Sequence, residues 1–106
     1  MKLSPDSFER MKNGDKKFEF RLNDEKRKAL HVGERVEFAK RPELETSVIA
    51  EITSLHLFKN FAELYKQLPE AVEGLSEMEF LDRMYGHYTK IEEEKYGVVA
   101  IGVKLV

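Results

Sequence analysis

The order of hydrophobic patterns along the chain is the feature that most limits its fold. A short N-terminal helix is followed by strand patterns at residues 17–22, around Val36 and Phe38, and at residues 46–58. The middle of the chain is then patterned for helices, and residues 96–106 for a strand again. Strands and helices do not alternate regularly, which disfavours a doubly wound parallel sheet. We predict an α+β fold, mainly β, in which a small mixed sheet curls into a barrel, with helices in insertions or at one end.

The predicted strands differ in what their two faces carry. Residues 17–22 alternate between charged and apolar side chains, so this strand has one charged face and one apolar face. A second strand follows around Val36 and Phe38, and residues 46–58, rich in β-branched side chains, predict one long strand. In the closing strand, the small residues near Gly102 allow another backbone or a helix to approach closely.

Capping residues predict where the helices begin. Ser4, followed by Pro5, starts a first short helix, and Asp24 precedes a helical turn. In the middle of the chain, three N-capping residues are each followed by a glutamate three positions later: Asn60, Ser76 and Thr89.

Length and charge indicate one domain with an uneven surface. A chain of 106 residues predicts a single domain over residues 1–106. Residues 1–41 hold 12 of the 18 Lys and Arg residues and 8 of the 20 Asp and Glu residues, a formal charge of +4, whereas the remainder carries −6. This asymmetry favours a polyanionic partner for one face.

Several classes of site are disfavoured by what the sequence lacks. The chain has no cysteine, which excludes disulfides, thiolate zinc sites and thiol nucleophiles. Its three histidines are scattered, so no metal and no cofactor are predicted. Phosphate loops and the common hydrolase motifs are missing. Without a signal-like or membrane-length apolar run, we expect a cytoplasmic location and no membrane partner.

The densest cluster of charge lies between Gly14 and Arg27. Alternation sends Lys17, Glu19 and Arg21 to one face of the strand, which Lys16 can join only from the preceding turn. One interpretation is a solvent-facing strand with weak ion pairs. The other is a polar cleft that holds an anionic or carbonyl-bearing ligand, in which Glu19 orients a lysine or moves a proton.

A second candidate region combines aromatic and acidic residues. Tyr85, His87 and Tyr88 are suited to stacking on an unpaired base, although packing of Tyr85 in the core is equally natural. The acidic run 92–94 is typical of a solvated first helical turn. A glutamate of this run that turned inward would be available as a buried partner for the Lys and Arg residues.

The residues as a whole strongly resemble an ASCH domain of the PUA-like superfamily. The resemblance rests on Phe8, Gly14, Lys16, Glu19, Arg21, Asp24 and Arg27, followed by Val32-Gly33-Glu34-Arg35-Val36, and on the closing Tyr88, Glu93 and Tyr96–Ile101. It covers essentially the whole chain. It implies a PUA-like β-barrel with helices around a polar cleft, and binding of RNA or nucleotides.

The resemblance also implies an enzymatic alternative. Some small bacterial members are amidohydrolases that deacetylate N4-acetylcytidine with a Lys, a Thr and a Glu. The Lys matches Lys16, Glu19 stands where the family has Thr, and Glu73 is the nearest match to the Glu. Other members are ribonucleases.

The sequence is therefore consistent with three functions. The first is a module that binds RNA, a nucleotide or a modified nucleoside, with ligand contacts from Lys16, Lys17, Arg21, Lys26, Arg27, Tyr85, His87, Tyr88 and Glu93. The second is a hydrolase with catalytic Lys16, Glu19 and Glu73, or Glu93 in place of Glu73. The third is a protein-interaction domain without a small ligand. We rank binding first because the Thr-to-Glu change weakens the hydrolase match and leaves the cationic cleft intact. The oligomeric state is left open.

Overall fold

The structure is a computed structural model, and it describes residues 1–72 and 74–106. Its elements in chain order are β1 (Lys2–Leu3), α1 (Pro5–Lys12), β2 (Phe18–Leu22), α2 (Glu25–Lys28), β3 (Arg35–Lys40), β4 (Ser47–Phe58), α3 (Phe61–Gln67), a 3₁₀ turn (Pro69–Ala71), α4 (Glu77–Tyr85), α5 (Lys90–Tyr96) and β5 (Val98–Leu105). The five strands form one sheet in the order β1-β3-β4-β5-β2. Strand β1 runs parallel to β3, and β3 runs antiparallel to β4. The mixed sheet predicted from the sequence is therefore confirmed.

Side-chain caps fix the starts of the helices where the sequence predicts them. The Ser4 hydroxyl accepts the backbone N–H of Ser7 at 3.3 Å, and Asn60 Oδ1 accepts that of Glu63 at 2.8 Å. Ser76 and Thr89 each begin a full capping box, in which the glutamate three positions later also accepts the N–H of the capping residue. These caps satisfy amide donors that the first helical turn leaves without a partner.

The described residues form two compact units. The first comprises Met1–Glu19, His31–Leu55 and Ile101–Val106, and the second comprises Phe20–Leu30 and His56–Ala100. The fully buried side chains of the first unit include Phe8, Met11, Phe38, Ile52 and Ile101. Those of the second include Phe61, Leu64, Phe80, Val98 and Val99. Each unit therefore has an apolar core of its own. A single domain over residues 1–106 stays a prediction.

Strand β5 begins two residues later than predicted. Tyr96 is still the last residue of α5, because Gly97, at φ +71°, ends that helix in a conformation that few other residues adopt. The six residues from Val98 to Val103 are all buried. The predicted close approach at Gly102 is confirmed: a Cβ there would lie 2.9 Å from Thr53 Oγ1 and closer still to Ser54 Oγ.

Two short elements are missing from the sequence prediction. Strand β1 has two residues, and the 3₁₀ turn has three. Segments this short carry no periodicity for a pattern to detect. In the part of the chain that the structure describes, no helix has the length and apolar character that crossing a bilayer requires.

Candidate functional site

Lys16 reaches Glu19 from the turn between α1 and β2. Gly14 adopts φ +83°, and the backbone N–H groups of Asp15 and Lys16 both donate to the carbonyl of Arg10, at 2.9 and 3.1 Å. Because β2 begins only at Phe18, Lys16 lies before the strand, and the alternation of side chains between the two faces of the strand does not apply to it. Its Nζ lies 3.4 Å from Glu19 Oε1, and each side chain is 10% exposed.

The burial of this ion pair distinguishes it from ordinary surface pairs. Glu19 as a whole residue is 7% exposed, so the interpretation of β2 as a fully solvent-facing charged strand is wrong at this position. Both faces of β2 are covered here, because apolar Leu22 is buried as well. Taking two charges out of water costs several kcal/mol per ion, an effective penalty that mutual attraction only partly offsets.

The other predicted residues of this segment lie in different environments. Lys17 is exposed and forms no ion pair within the described residues, and Arg21 is half-buried on β2. Arg27 Nη1 lies 3.2 Å from Asp24 Oδ2, and Asp24 also caps α2. Arg27 Nε is buried, and its N–H donates to no acceptor within the described part of the chain. Glu73, the predicted third catalytic residue, lies outside the described residues.

Within the second unit, Glu93 is a buried carboxylate that joins three helices. It belongs to α5, and its Oε2 accepts the backbone N–H of Phe61, the first residue of α3, at 2.8 Å. The hydroxyl of Tyr85, the last residue of α4, donates to Oε1 at 2.8 Å and to Oε2 at 3.0 Å. Glu93 is therefore the glutamate of the acidic run that turns inward, while Glu92 caps α5. Its role as a ligand contact stays a prediction.

The three candidate stacking residues differ in how much ring surface remains open. The ring of Tyr88 stacks on Phe61 with a centroid distance of 5.7 Å and an interplanar angle of 22°. Tyr85 packs edge-on against Phe61 at 6.3 Å, and the Lys90 ammonium lies 5.4 Å from its ring centroid. His87 is exposed, 6.2 Å from the Tyr88 ring. Stacking on a base stays a prediction, and His87 is the most accessible candidate.

The Tyr85→Phe variant is expected to lose less stability than the wild type as the pH becomes alkaline. Burial, together with the hydrogen bond to Glu93, raises the pKa of Tyr85 from 10.0 to about 12. The pKa of Tyr85 is higher in the folded chain than in the unfolded chain. The protonated Tyr85 therefore contributes its full stabilisation of the fold below about pH 10, and this contribution is lost as the pH rises through about 12. Urea unfolding from about pH 9 to 12 should therefore show a smaller decline for Tyr85→Phe than for the wild type. Equal declines in stability for the variant and the wild type would contradict the raised pKa of Tyr85.

Comparison with known proteins identifies the family. The chain matches the model of the ASCH domain over residues 1–106. A crystal structure of hypothetical protein PH0355 aligns with a TM-score of 0.79 and 29% identity, covering 100% of both chains. The solution structure of protein PF0455 from Pyrococcus furiosus aligns with a TM-score of 0.71 and 25% identity, covering 100% of this chain and 98% of that one. No curated protein sequence matches at a significant level.

A named ASCH protein shares the fold. The crystal structure of a point mutant of ZmASCH from Zymomonas mobilis aligns with a TM-score of 0.68 and 14% identity, over 98% of this chain and 66% of that chain. At this identity the likeness concerns the fold alone, and it confirms the predicted mixed α+β, PUA-like class. With the family model matching every residue from 1 to 106, the chain belongs to the ASCH domain family.

Proposed function

We propose that this ASCH domain binds RNA, a nucleotide or a modified nucleoside, and that the Lys16–Glu19 pair contacts the ligand. The observation that carries the proposal is the burial of an ammonium and a carboxylate 3.4 Å apart, with 10% exposure of each side chain. Such a pair is a weak source of stability, since apolar residues of similar volume often do as well. A role in ligand binding accounts for the presence of this buried pair in such a small chain.

The chemistry of the pair suits a nucleobase edge. The Lys16 ammonium supplies only hydrogen-bond donors, and the ionised Glu19 carboxylate supplies only acceptors. Base edges present donors and acceptors side by side, and proteins bind unpaired bases through these edges. A base that inserts between the two side chains would exchange one charged contact for two hydrogen bonds.

Replacing Lys16 with methionine is expected to weaken binding about tenfold or more, because a charge-assisted contact in a mostly buried position is lost. The matched control is Lys40→Met, which removes the same charge from an exposed pair of the same unit, 3.1 Å from Glu9. Fluorescence anisotropy with a labelled single-stranded RNA hexamer and calorimetry with cytidine and N4-acetylcytidine measure the affinities. If Lys40→Met weakened binding as much as Lys16→Met, or if no probe bound the wild type, the proposal would fail.

A hydrolase acting on N4-acylated cytidine is the second candidate function. It is favoured by the same contact, because a lysine beside a carboxylate in a nearly water-free position is suited to proton transfer. The assay is acetate release from N4-acetylcytidine, compared between the wild type, Lys16→Met and Glu19→Gln. We expect release by the wild type alone if the domain is an enzyme. Binding without release by any of the three would leave the binding module and exclude this hydrolase activity.

A further inference from the structure

A shallow cavity of the first unit lies beside the Lys16–Glu19 pair. Its volume is about 260 Å³, and it lies between the end of α1, the start of β2 and the end of β5. The buried side chains of Met11 and Val103 line it, and a hydrogen bond from the Val103 N–H to the Lys17 carbonyl, 2.9 Å, ties two of its walls together. At Gly14, a Cβ would meet no atom within 4 Å, so this wall is open. We call this cavity the three-lysine depression.

Three lysines line the three-lysine depression. They are Lys16, Lys17 and Lys104, and no acidic residue is among those that line it in the described part of the chain. Lys16 is paired with Glu19, and Lys104 lies 3.7 Å from Glu51 in an exposed pair with side-chain exposures of 65% and 32%. An exposed pair of this kind contributes about 0–1 kcal/mol, so Lys104 exchanges partners at little cost. Lys17 is exposed and has no ion pair within residues 1–72 and 74–106.

The size of the depression limits what it can hold. Its volume is several times the roughly 30 Å³ that one water molecule occupies in the liquid. It is smaller than the about 300–1,000 Å³ of pockets that enclose a whole drug-sized ligand. A phosphate group with part of its sugar fits this intermediate size. An ammonium suits phosphate because it is a compact point charge with three donors.

We propose that the three-lysine depression binds a phosphate group, held by Lys17 and Lys104 over the surface formed by Met11 and Val103. The phosphate belongs to a nucleotide or to an RNA backbone. Lys16 lines this subsite and also pairs with Glu19, so it connects the two. Naming a nucleotide as the ligand rests on the proposed function, whereas the phosphate subsite rests on the depression alone. Lys17 is one of the ligand contacts predicted from the sequence, whereas Lys104 is not.

Cytidine and cytidine 5′-monophosphate separate the two parts of the ligand. We expect the wild type to bind the monophosphate more tightly, and Lys17→Met and Lys104→Met each to lower that affinity about fivefold, as for a partly exposed charged contact. Their affinity for cytidine should be unchanged, and Lys40→Met should leave both affinities within about twofold. For the RNA hexamer, each of the two substitutions should reduce the slope of log affinity against log salt by about 0.7.

The outcomes distinguish this subsite from the function proposed above. If Lys17→Met and Lys104→Met left the affinities for the monophosphate and for the RNA hexamer unchanged while Lys16→Met weakened cytidine binding, the subsite would be wrong and the proposed function would stand. If cytidine and RNA failed to bind but inorganic pyrophosphate bound, with affinity lost in Lys17→Met and Lys104→Met, the subsite would stand alone. A wild type that bound none of these probes would contradict both. A fivefold loss for the hexamer but not for the monophosphate would assign the phosphate to an RNA backbone.

Discussion

Replacing Phe61 with alanine is expected to lower the free energy of unfolding by about 3–5 kcal/mol, the range for a large buried aromatic side chain. Phe61 is fully buried, and its ring packs on Tyr88 at 5.7 Å and on Phe80 at 6.2 Å. Truncation removes these contacts and leaves a cavity that the rigid helix starts around it cannot close completely. Urea unfolding followed by circular dichroism measures the change.

Two further substitutions show whether packing is the cause of the Phe61 effect. Phe61→Leu keeps most of the volume and should cost less than about 1.5 kcal/mol. Leu57→Ala removes an apolar side chain that is 64% exposed, and it should change stability by less than about 0.5 kcal/mol. A loss below about 1 kcal/mol for Phe61→Ala would show that the second unit repacks around the missing ring.

Replacing Glu93 with alanine is expected to destabilise the chain by about 3 kcal/mol, because two donors lose their acceptor at once. The Phe61 N–H is buried, and the Tyr85 hydroxyl is partly buried, so water satisfies the first poorly and the second only in part. Glu93→Gln keeps one acceptor oxygen in place and should cost about 1 kcal/mol. Both values come from urea unfolding at neutral pH, where Tyr85 is protonated.

Controls for Glu93 come from the same helix and from its hydrogen-bond partner. Glu94→Ala removes the same charge at an exposed position and should change stability by less than about 0.5 kcal/mol. In a Tyr85→Phe background, Glu93→Ala should cost less than in the wild type, because one of the two donors is already absent. Equal costs in both backgrounds would contradict a shared network. A Glu93→Gln variant with normal stability and impaired RNA binding would instead assign Glu93 to the ligand.

Local features of the fold could be predicted from the sequence. Capping depends on a few neighbouring residues, so Ser4, Asn60, Ser76 and Thr89 identify the helix starts that the structure has. The sequence allowed a contact of Lys16 with Glu19, because Lys16 lies in the turn before β2 and only two residues stand between them. The long strand β4 was indicated by its β-branched residues.

Features that depend on distant contacts could not be predicted in the same way. The sequence allows any glutamate of the run 92–94 to turn inward, and only the donors of Phe61 and Tyr85 select Glu93. Lys104 ends the run of small and apolar residues in β5, but its place beside Lys17 follows from strand pairing. The burial of Glu19 likewise depends on what covers both faces of β2.

The N-terminal caps of α3, α4 and α5 have a consequence for how this chain can vary in length. Each cap is contained in four consecutive residues: the side chain of the first accepts a hydrogen bond from the backbone N–H of the fourth. The connections between these helices can therefore gain or lose residues without changing where a helix begins. We expect insertions and deletions among ASCH domains to concentrate in the connections of this helical region, while the tightly paired strand β5 keeps its length.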